Sequence, residues 1–384
     1  MAASYGFLST HPPTQCGLAT FNSALAAHLT AGGATSGVVR VTTANDDQRA
    51  GPGVEHTWSA GTVAGWRDAV AVLNAYDVAI VQHEYGIYPG TDGADVLPLL
   101  RRLTAPSIVV LHTVLSQPTA GQKSLLEQVV VAAGAVVTMT ETARDRLLIG
   151  YRVDPAKVWV IPHGAADHAA ADHAAVPAPS HPRPHLLTWG LLGPGKGIEW
   201  MLRALTHLRD LDPAPTYTVA GRTHPKVLAH HGEAYRASLH VLGGLLGVSD
   251  AVTYQPIYRD QTALSSLIRS ADVVVLPYDS REQVTSGVLI EAVAAGVPVI
   301  ATPFPHAVEL LSEGTGLLVP HQDPDALAAA IRRILTEPGL AAHLASRARP
   351  LSPALRWPAV AAHYDELAHR LITTGASAVT AAPA

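Results

Sequence analysis

This 384-residue sequence predicts an α/β protein of two Rossmann-like, doubly wound parallel-sheet domains, and three observations carry that prediction. Short continuous apolar runs rich in β-branched residues recur along the chain, as in strands buried on both faces. Each run leads into a polar loop and then a helical stretch, the alternation that builds parallel sheets. The length also exceeds what one core usually holds. No repeat of fixed period overrides this pattern. Hydrophobic residues make up 48% and charged ones 15%, with a mean hydropathy of +0.19, which describes a compact chain with a large core. The formal charge of -5 offers no basic footprint for nucleic acid or anionic lipid, so any phosphate site must be local.

In order along the chain, Met1–Ser9 reads as the first strand. Thr10-His-Pro-Pro-Thr-Gln-Cys-Gly-Leu-Ala-Thr-Phe comes next as a loop that becomes a helix through about Ala31. Gly17 in that loop serves either a close backbone approach to a ligand or a tight turn alone. Cys16 is the single cysteine; it excludes an internal disulfide, fits a reducing compartment and reads as a packing residue. No basic region followed by an apolar core opens the sequence, and no apolar run spans a bilayer, so a cytoplasmic protein without a transmembrane segment is expected. Gly37–Thr43 and Val78–Gln82 are further strands, with a helix near Trp66–Tyr76 between them. The strand at Val78 runs into His83, Glu84 and Tyr85, a polar and aromatic cluster. It suits sugar hydroxyls and pyranose faces, or serves equally as a capping loop. Ser107–Leu111 is the next buried strand and ends at His112; Val136–Thr140 and Val158–Pro162 come after it, the last leading to His163-Gly164.

From there to about Pro184 the composition turns to Ala, His and Pro, a linker. Its neighbourhood contains His168, His173, His181 and His185, but its proline breaks keep one helix face from presenting them together as a metal site. His185–Trp189 opens a second domain. Gly190-Leu-Leu-Gly-Pro-Gly-Lys-Gly197 then forms a loop before the helix Ile198–Leu208, its glycines clearing space and Lys196 offering a compact cation for a diphosphate. A Walker loop would need Ser or Thr where Gly197 stands. Arg222, at the end of the next strand, is either a second cation for this site or a solvated loop arginine. Val252–Gln255 and Asp272–Leu276 are strands. A helix then opens at Thr285-Ser286-Gly287, leaving its first amides free to face an anion, and carries Glu291 about one turn further in. Gly296 and Pro298 stop it, and Val297–Thr302 is the next strand. Asp323–Leu335 and the amphipathic Trp357–Leu371 are helices, and the Ala-Thr-Pro stretch from Thr373 reads as disordered. The predicted domains are 1–168, joined by a helix over about 355–372, and 185–350, with 169–184 as linker and 373–384 as tail.

Small residues opening a helix, then Glu291-Ala-Val-Ala-Ala-Gly-Val-Pro-Val-Ile-Ala-Thr, resemble the donor-binding segment of retaining family-four glycosyltransferases of the GT-B fold. The resemblance implies two domains facing a cleft and a C-terminal crossover helix. Donor-binding roles fall on Gly17, Leu18, Arg222, Ser286, Gly287, Val288 and Glu291, the last on the ribose hydroxyls. The catalytic candidates are Lys196, His112, which matches a donor-sugar contact, and Gln283, where the usual motif has a second Glu. The acceptor side is His83, Glu84 and Tyr85. The family pattern also places Arg where Leu191 stands. The same resemblance implies a metal-independent retaining hexosyltransferase without cofactor. It would use a nucleotide sugar, with GDP-mannose favoured over a UDP-hexose, and an unidentified hydroxyl acceptor. The alternatives are a non-catalytic sugar-nucleotide-binding protein, or an epimerase or phosphorylase on the same fold.

Overall fold

The computed structural model describes residues 3–43, 49–60, 62, 65–166 and 182–380. The chain divides into two compact units, one made of Met1–Gly164 with Trp357–Ala384 and the other of Ala165–Arg356. The division therefore falls at Gly164/Ala165 and Arg356/Trp357. Ala165 belongs to the second unit because its N–H donates to the Leu355 carbonyl at 2.7 Å and it bridges Arg356 in parallel. The linker histidines His168, His173 and His181 lie outside the described residues.

Among the described residues, the first unit holds a parallel sheet of β1 (Tyr5–Ser9), β2 (Ser36–Thr42), β3 (Val54–Ser59), β4 (Val78–His83), β5 (Ser107–Leu111), β6 (Ala135–Thr138) and β7 (Val158–Val160). Their order is β3-β2-β1-β4-β5-β6-β7, so the winding reverses between β1 and β4, the place where ligands of such sheets bind. The sequence pattern does not predict β3. Val-Glu-His-Thr-Trp-Ser alternates in exposure because this strand lies at the sheet edge, with no partner on its outer side to bury it, and lacks the continuous apolar run that marks the inner strands. The helix Trp66–Leu73 stops short of Tyr76, since Ala75 and Tyr76 close turns onto the Val72 and Leu73 carbonyls.

The C-terminal helix runs Trp357–Thr380. Trp357, Val360, Tyr364 and Leu367 share one core with Phe21 and Leu25 of the helix Gly17–Thr30. Trp357 also fixes a glycine: a Cβ on Gly164 would sit 2.2 Å from the indole, so chain and ring touch with no room for a side chain.

In the second unit, β8 (His185–Trp189), β9 (Thr216–Ala220), β10 (Val252–Gln255), β11 (Val273–Leu276), β12 (Val299–Ala301) and β13 (Leu317–Leu318) form a parallel sheet of order β10-β9-β8-β11-β12-β13. It repeats the winding of the first. One apolar cluster centred on Leu276, Leu289 and Phe304 covers one face, and another centred on Ile198, Met201 and Ile331 covers the other. His185 is a structural residue here, its Nε2 2.8 Å from Thr218 Oγ1 and its Nδ1 3.0 Å from the Ser270 carbonyl.

Trp357 is buried and packs edge-on to Phe21 at 5.1 Å, so Trp357→Ala should lower stability by about 3–5 kcal/mol. Chemical denaturation of the full chain measures it. A loss below about 1 kcal/mol, within the range of surface changes, would mean that the C-terminal helix does not complete the first core.

Candidate functional site

The second unit's site grows from the glycine loop after β8. Gly190, Gly195 and Gly197 have φ of 120°, 88° and 66°, a region that side chains with a Cβ rarely enter. A Cβ on Gly197 would lie 1.7 Å from the Pro277 carbonyl oxygen, so the loop lies directly on the end of β11. Asp279 secures it twice, with its N–H on the Gly195 carbonyl at 2.9 Å and its carboxylate accepting from Trp200 Nε1 at 2.9 Å. The far side is stitched to the end of β9, where Leu192 donates to the Arg222 carbonyl and His224 donates to the Leu192 carbonyl, both at 2.8 Å.

This packing places Lys196 Nζ 4.2 Å from the centroid of the Tyr278 ring. The ring face attracts the ammonium without neutralising it. Burial lowers the Lys196 pKa to about 8, and its charge contributes, after burial and Lys226, to lowering that of His224. Lys196 is thus a half-buried cation above an aromatic floor, the arrangement expected where an anion arrives. Arg222, by contrast, has an exposed side chain.

The helix Gly287–Ala294 supplies the second component. Ser286 is its N-cap, its Oγ accepting from the Leu289 N–H at 3.3 Å, while the Ser286 N–H donates to His306 Nδ1 at 2.8 Å. The amides of Gly287 and Val288, the first two of the helix, are left as donors for an anion. A Cβ on Gly190 would be 3.6 Å from Val288 Cγ2, so the glycine loop and this helix start are neighbours. The helix closes with a Schellman pattern: Gly296 N–H on the Val293 carbonyl and Val297 N–H on the Ala292 carbonyl, with Gly296 at φ 71°.

Glu291 projects inward from the first turns and is 8% exposed. Its carboxylate accepts from the Ala166 N–H at 3.2 and 3.3 Å and from Gln261 Nε2 at 3.3 Å. Gln283 turns onto its own loop, its Nε2 donating to the Thr285 carbonyl at 3.1 Å and its backbone carbonyl accepting from the His306 N–H at 3.3 Å. His306 therefore pins the loop at both Gln283 and Ser286. Two hydroxyls at this edge, Tyr278 Oη and Thr285 Oγ1, are buried without a protein partner among the described residues.

The first unit has its own polar edge. Gly17 and Leu18 begin the helix Gly17–Thr30, capped by Cys16, whose Sγ accepts from the Ala19 N–H at 3.4 Å. Nothing lies within 4 Å of a Cβ placed on Gly17, so backbone faces open space there. His112 donates its backbone N–H to the His83 carbonyl at 3.1 Å and has Nε2 2.8 Å from Gln82 Oε1. Burial, then the nearby His163 and His83, lowers its pKa to about 3. His83 is 1% exposed and its pKa falls to about 4 through burial; its ring packs edge-on to Tyr85 at 5.3 Å. Of the predicted acceptor cluster, only Glu84 and Tyr85 keep accessible surface. Glu84 accepts from Thr113 Oγ1 at 2.5 Å and from the Tyr85 N–H at 3.0 Å, and Tyr85 donates its hydroxyl to the Gln122 carbonyl at 3.4 Å.

Residues 183–337 match the family described as glycosyl transferases group 1. The D-inositol 3-phosphate glycosyltransferase of Streptomyces bingchenggensis is 32% identical over 62% of this chain and 52% of its own length; that of Frankia alni is 28% identical over 77% and 78%. The chain spans about half the length of the first of these. Among solved structures, the sucrose-phosphate synthase of Thermosynechococcus elongatus superposes with a TM-score of 0.74 at 22% identity, covering 97% of this chain and 100% of that one. Anabaena HepE in complex with UDP-glucose does so with 0.71 at 16% identity, covering 97% and 100%. The chain has the GT-B fold class. Within the second unit, the expected Lys196, Ser286, Gly287, Val288 and Glu291 stand at the carboxyl edge of one sheet, with Gln283 in the loop leading there. Tyr278, Gln261 and His306 are additions. His306 comes after β12 just as His83 and His112 stand at the ends of β4 and β5, so a histidine close behind a buried strand was the signal that could have found it.

Among the described residues no three His, Cys, Asp or Glu side chains group as a metal site, and no helix is long and apolar enough to cross a membrane.

Gly195 and Gly197 give a paired test of the loop. Both have positive φ, but nothing lies within 4 Å of a Cβ on Gly195, whereas that on Gly197 collides with the Pro277 backbone. Gly195→Ala should cost about 1–2 kcal/mol from backbone conformation alone. Gly197→Ala should cost measurably more in thermal denaturation; equal losses would refute the close approach.

Proposed function

We propose that the chain transfers a hexose from a nucleotide diphosphate sugar to a hydroxyl acceptor with retention of anomeric configuration. The observation that carries this reading is Lys196, held over Tyr278 by the glycine loop and neighbouring a helix start whose Gly287 and Val288 amides await an anion. A diphosphate fits that pair of features. The buried carboxylate of Glu291 accepts from two vicinal ribose hydroxyls at once, with Ala166 and Gln261 fixing its orientation.

The reaction asks for positioning and charge stabilisation. The bond from the anomeric carbon to the diphosphate oxygen breaks, the acceptor oxygen bonds to that carbon from the same face, and the acceptor proton passes to the departing phosphate oxygen. Gln283 is uncharged and serves as no base, which agrees with a leaving group that takes the proton itself. Lys196 and the helix amides carry the leaving-group charge, the role a metal fills elsewhere. A fold neighbour in complex with UDP-glucose supports a UDP-hexose donor at least as well as GDP-mannose. The class of donor, rather than one sugar, is therefore the conclusion.

Incubation with UDP-hexoses and GDP-mannose, with and without polyol and sugar acceptors and with EDTA throughout, tests the reading. Acceptor-dependent release of nucleotide that survives chelation is expected. Tight binding without release would make the protein a sugar-nucleotide binder, acceptor-independent conversion would make it another enzyme of this fold, and rescue by a divalent ion would end the metal-free scheme.

Lys196→Ala should cost about 2–4 kcal/mol of transition-state stabilisation, roughly a hundredfold or more in rate, since charge on the diphosphate grows as the bond breaks. Turnover should suffer more than donor affinity, and Lys196→Arg should restore only part. The pH profile has a definite sign. Lys196 loses its proton above about 8 in the free protein, so kcat/KM should fall above that pH. A bound diphosphate favours the ammonium, so the limb of kcat should lie higher. In Lys196→Arg the guanidinium stays charged and the alkaline limb of kcat/KM should vanish. Normal turnover of Lys196→Ala at saturating donor would remove Lys196 from the chemistry.

A further inference from the structure

The first unit holds a line of four polar side chains, three of them buried, that the leaving-group chemistry does not use. His112 Nε2 lies 2.8 Å from Gln82 Oε1, Gln82 Nε2 lies 3.4 Å from Asn22 Oδ1, Asn22 Nδ2 lies 3.1 Å from His11 Nδ1, and His11 Nε2 lies 3.2 Å from the Pro52 carbonyl. Asn22 and Gln82 are 0% exposed and His11 is 3% exposed, so water does not complete their bonding and each must satisfy the next.

The terminal carbonyl sets every direction in this line. A carbonyl only accepts, so His11 donates from Nε2. Burial, which outweighs the Pro52 contact, lowers the His11 pKa and leaves Nδ1 an acceptor. Asn22 must then present Nδ2 to it, which turns Oδ1 toward Gln82. Gln82 in turn gives Nε2 to Asn22 and offers Oε1 to His112, which must donate from Nε2. His112 is left neutral, with the Nδ1 lone pair carrying no protein partner among the described residues, at the carboxyl end of β5.

Resting on the glycosyl-transfer reading, we propose that His11, Asn22 and Gln82 are positioning residues that hold His112 in its Nε2–H tautomer, so that Nδ1 accepts a hydrogen bond from a hydroxyl of the bound carbohydrate. A neutral acceptor has a selective consequence. It receives a sugar hydroxyl but repels a carboxylate, so a uronic acid at this position is disfavoured relative to the neutral hexose.

Nitrogen-15 NMR of the imidazole rings in the full chain, with His112→Ala to assign the His112 signals, reads the tautomer directly. The wild type should show protonated Nε2 and bare Nδ1, unchanged down to pH 5. Gln82→Leu should give a mixture of tautomers and lower kcat/KM on the order of tenfold while leaving nucleoside diphosphate affinity unchanged. Gln82→Glu loses the bond to Asn22 Oδ1 but keeps an acceptor facing Nε2, and should restore the single tautomer. Circular dichroism establishes folding of each variant. An Nδ1–H tautomer in the wild type overturns the proposal whatever the variants do, and so does a Gln82→Leu protein with unaltered tautomer and rate. The expected tautomer in a protein that transfers no sugar from any donor would leave the relay standing and overturn its assigned purpose and the function together, separating the two failures.

Discussion

The contact between Gly197 and the Pro277 carbonyl is the constraint on which the second unit's site depends. A Cβ at that point would be 1.7 Å from the oxygen, so the loop after β8 reaches the end of β11 only because a glycine stands there in a left-handed conformation. The approach is what brings Lys196 over Tyr278 and lets Asp279 bond Gly195 and Trp200 together. A looser loop would leave the lysine in water, where its charge is screened and its position averaged. The aromatic floor adds a second restriction, because Tyr278 is itself stacked on Phe304 at 5.4 Å and has no freedom to retreat.

The same economy governs the helix start. Of the donors at the front of Gly287–Ala294, the Leu289 N–H is spent on the Ser286 cap, and the Ser286 N–H is spent on His306. What stays open is the pair Gly287 and Val288, which defines where an anion sits more narrowly than an uncapped helix would. His306 does this by holding both Ser286 and the Gln283 carbonyl, so the loop that delivers the helix is fixed from outside the loop.

Much of this was legible because it is local. Val273–Leu276 is a continuous apolar run and forms a strand over those residues. Ser286 before a helical stretch is its cap, and Glu291 one turn on is buried as expected. The parts that escaped depend on the sheet's winding. Gln261, His306 and Tyr278 are remote in sequence from Glu291, Ser286 and Lys196, and only the order β8-β11-β12 brings them together. His83 shows the converse. Its sequence neighbours suggested a sugar contact, but the strand continues through His83, so the ring is placed in the buried layer with Gln82 while Glu84 and Tyr85 emerge beyond it. β3 was missed for a related reason: an edge strand needs no continuous apolar run.

The distribution of charge is a consequence of these placements. Leu191 stands where the resembling family carries an arginine, and Arg222 is exposed. In the first unit, burial holds His83 and His112 neutral across the ordinary working range of pH. Hydrogen-bond direction in that unit is consequently set by fixed lone pairs and N–H groups, which do not change with pH. In the second unit the opposite holds: Lys196 is the buried-side cation of the glycine loop, its pKa drawn down to about 8, and the helix amides beside it are permanent dipoles. Lys196 and the nearby His224 thus give the glycine-loop edge of the second unit its response to pH, while burial insulates His83 and His112 from it.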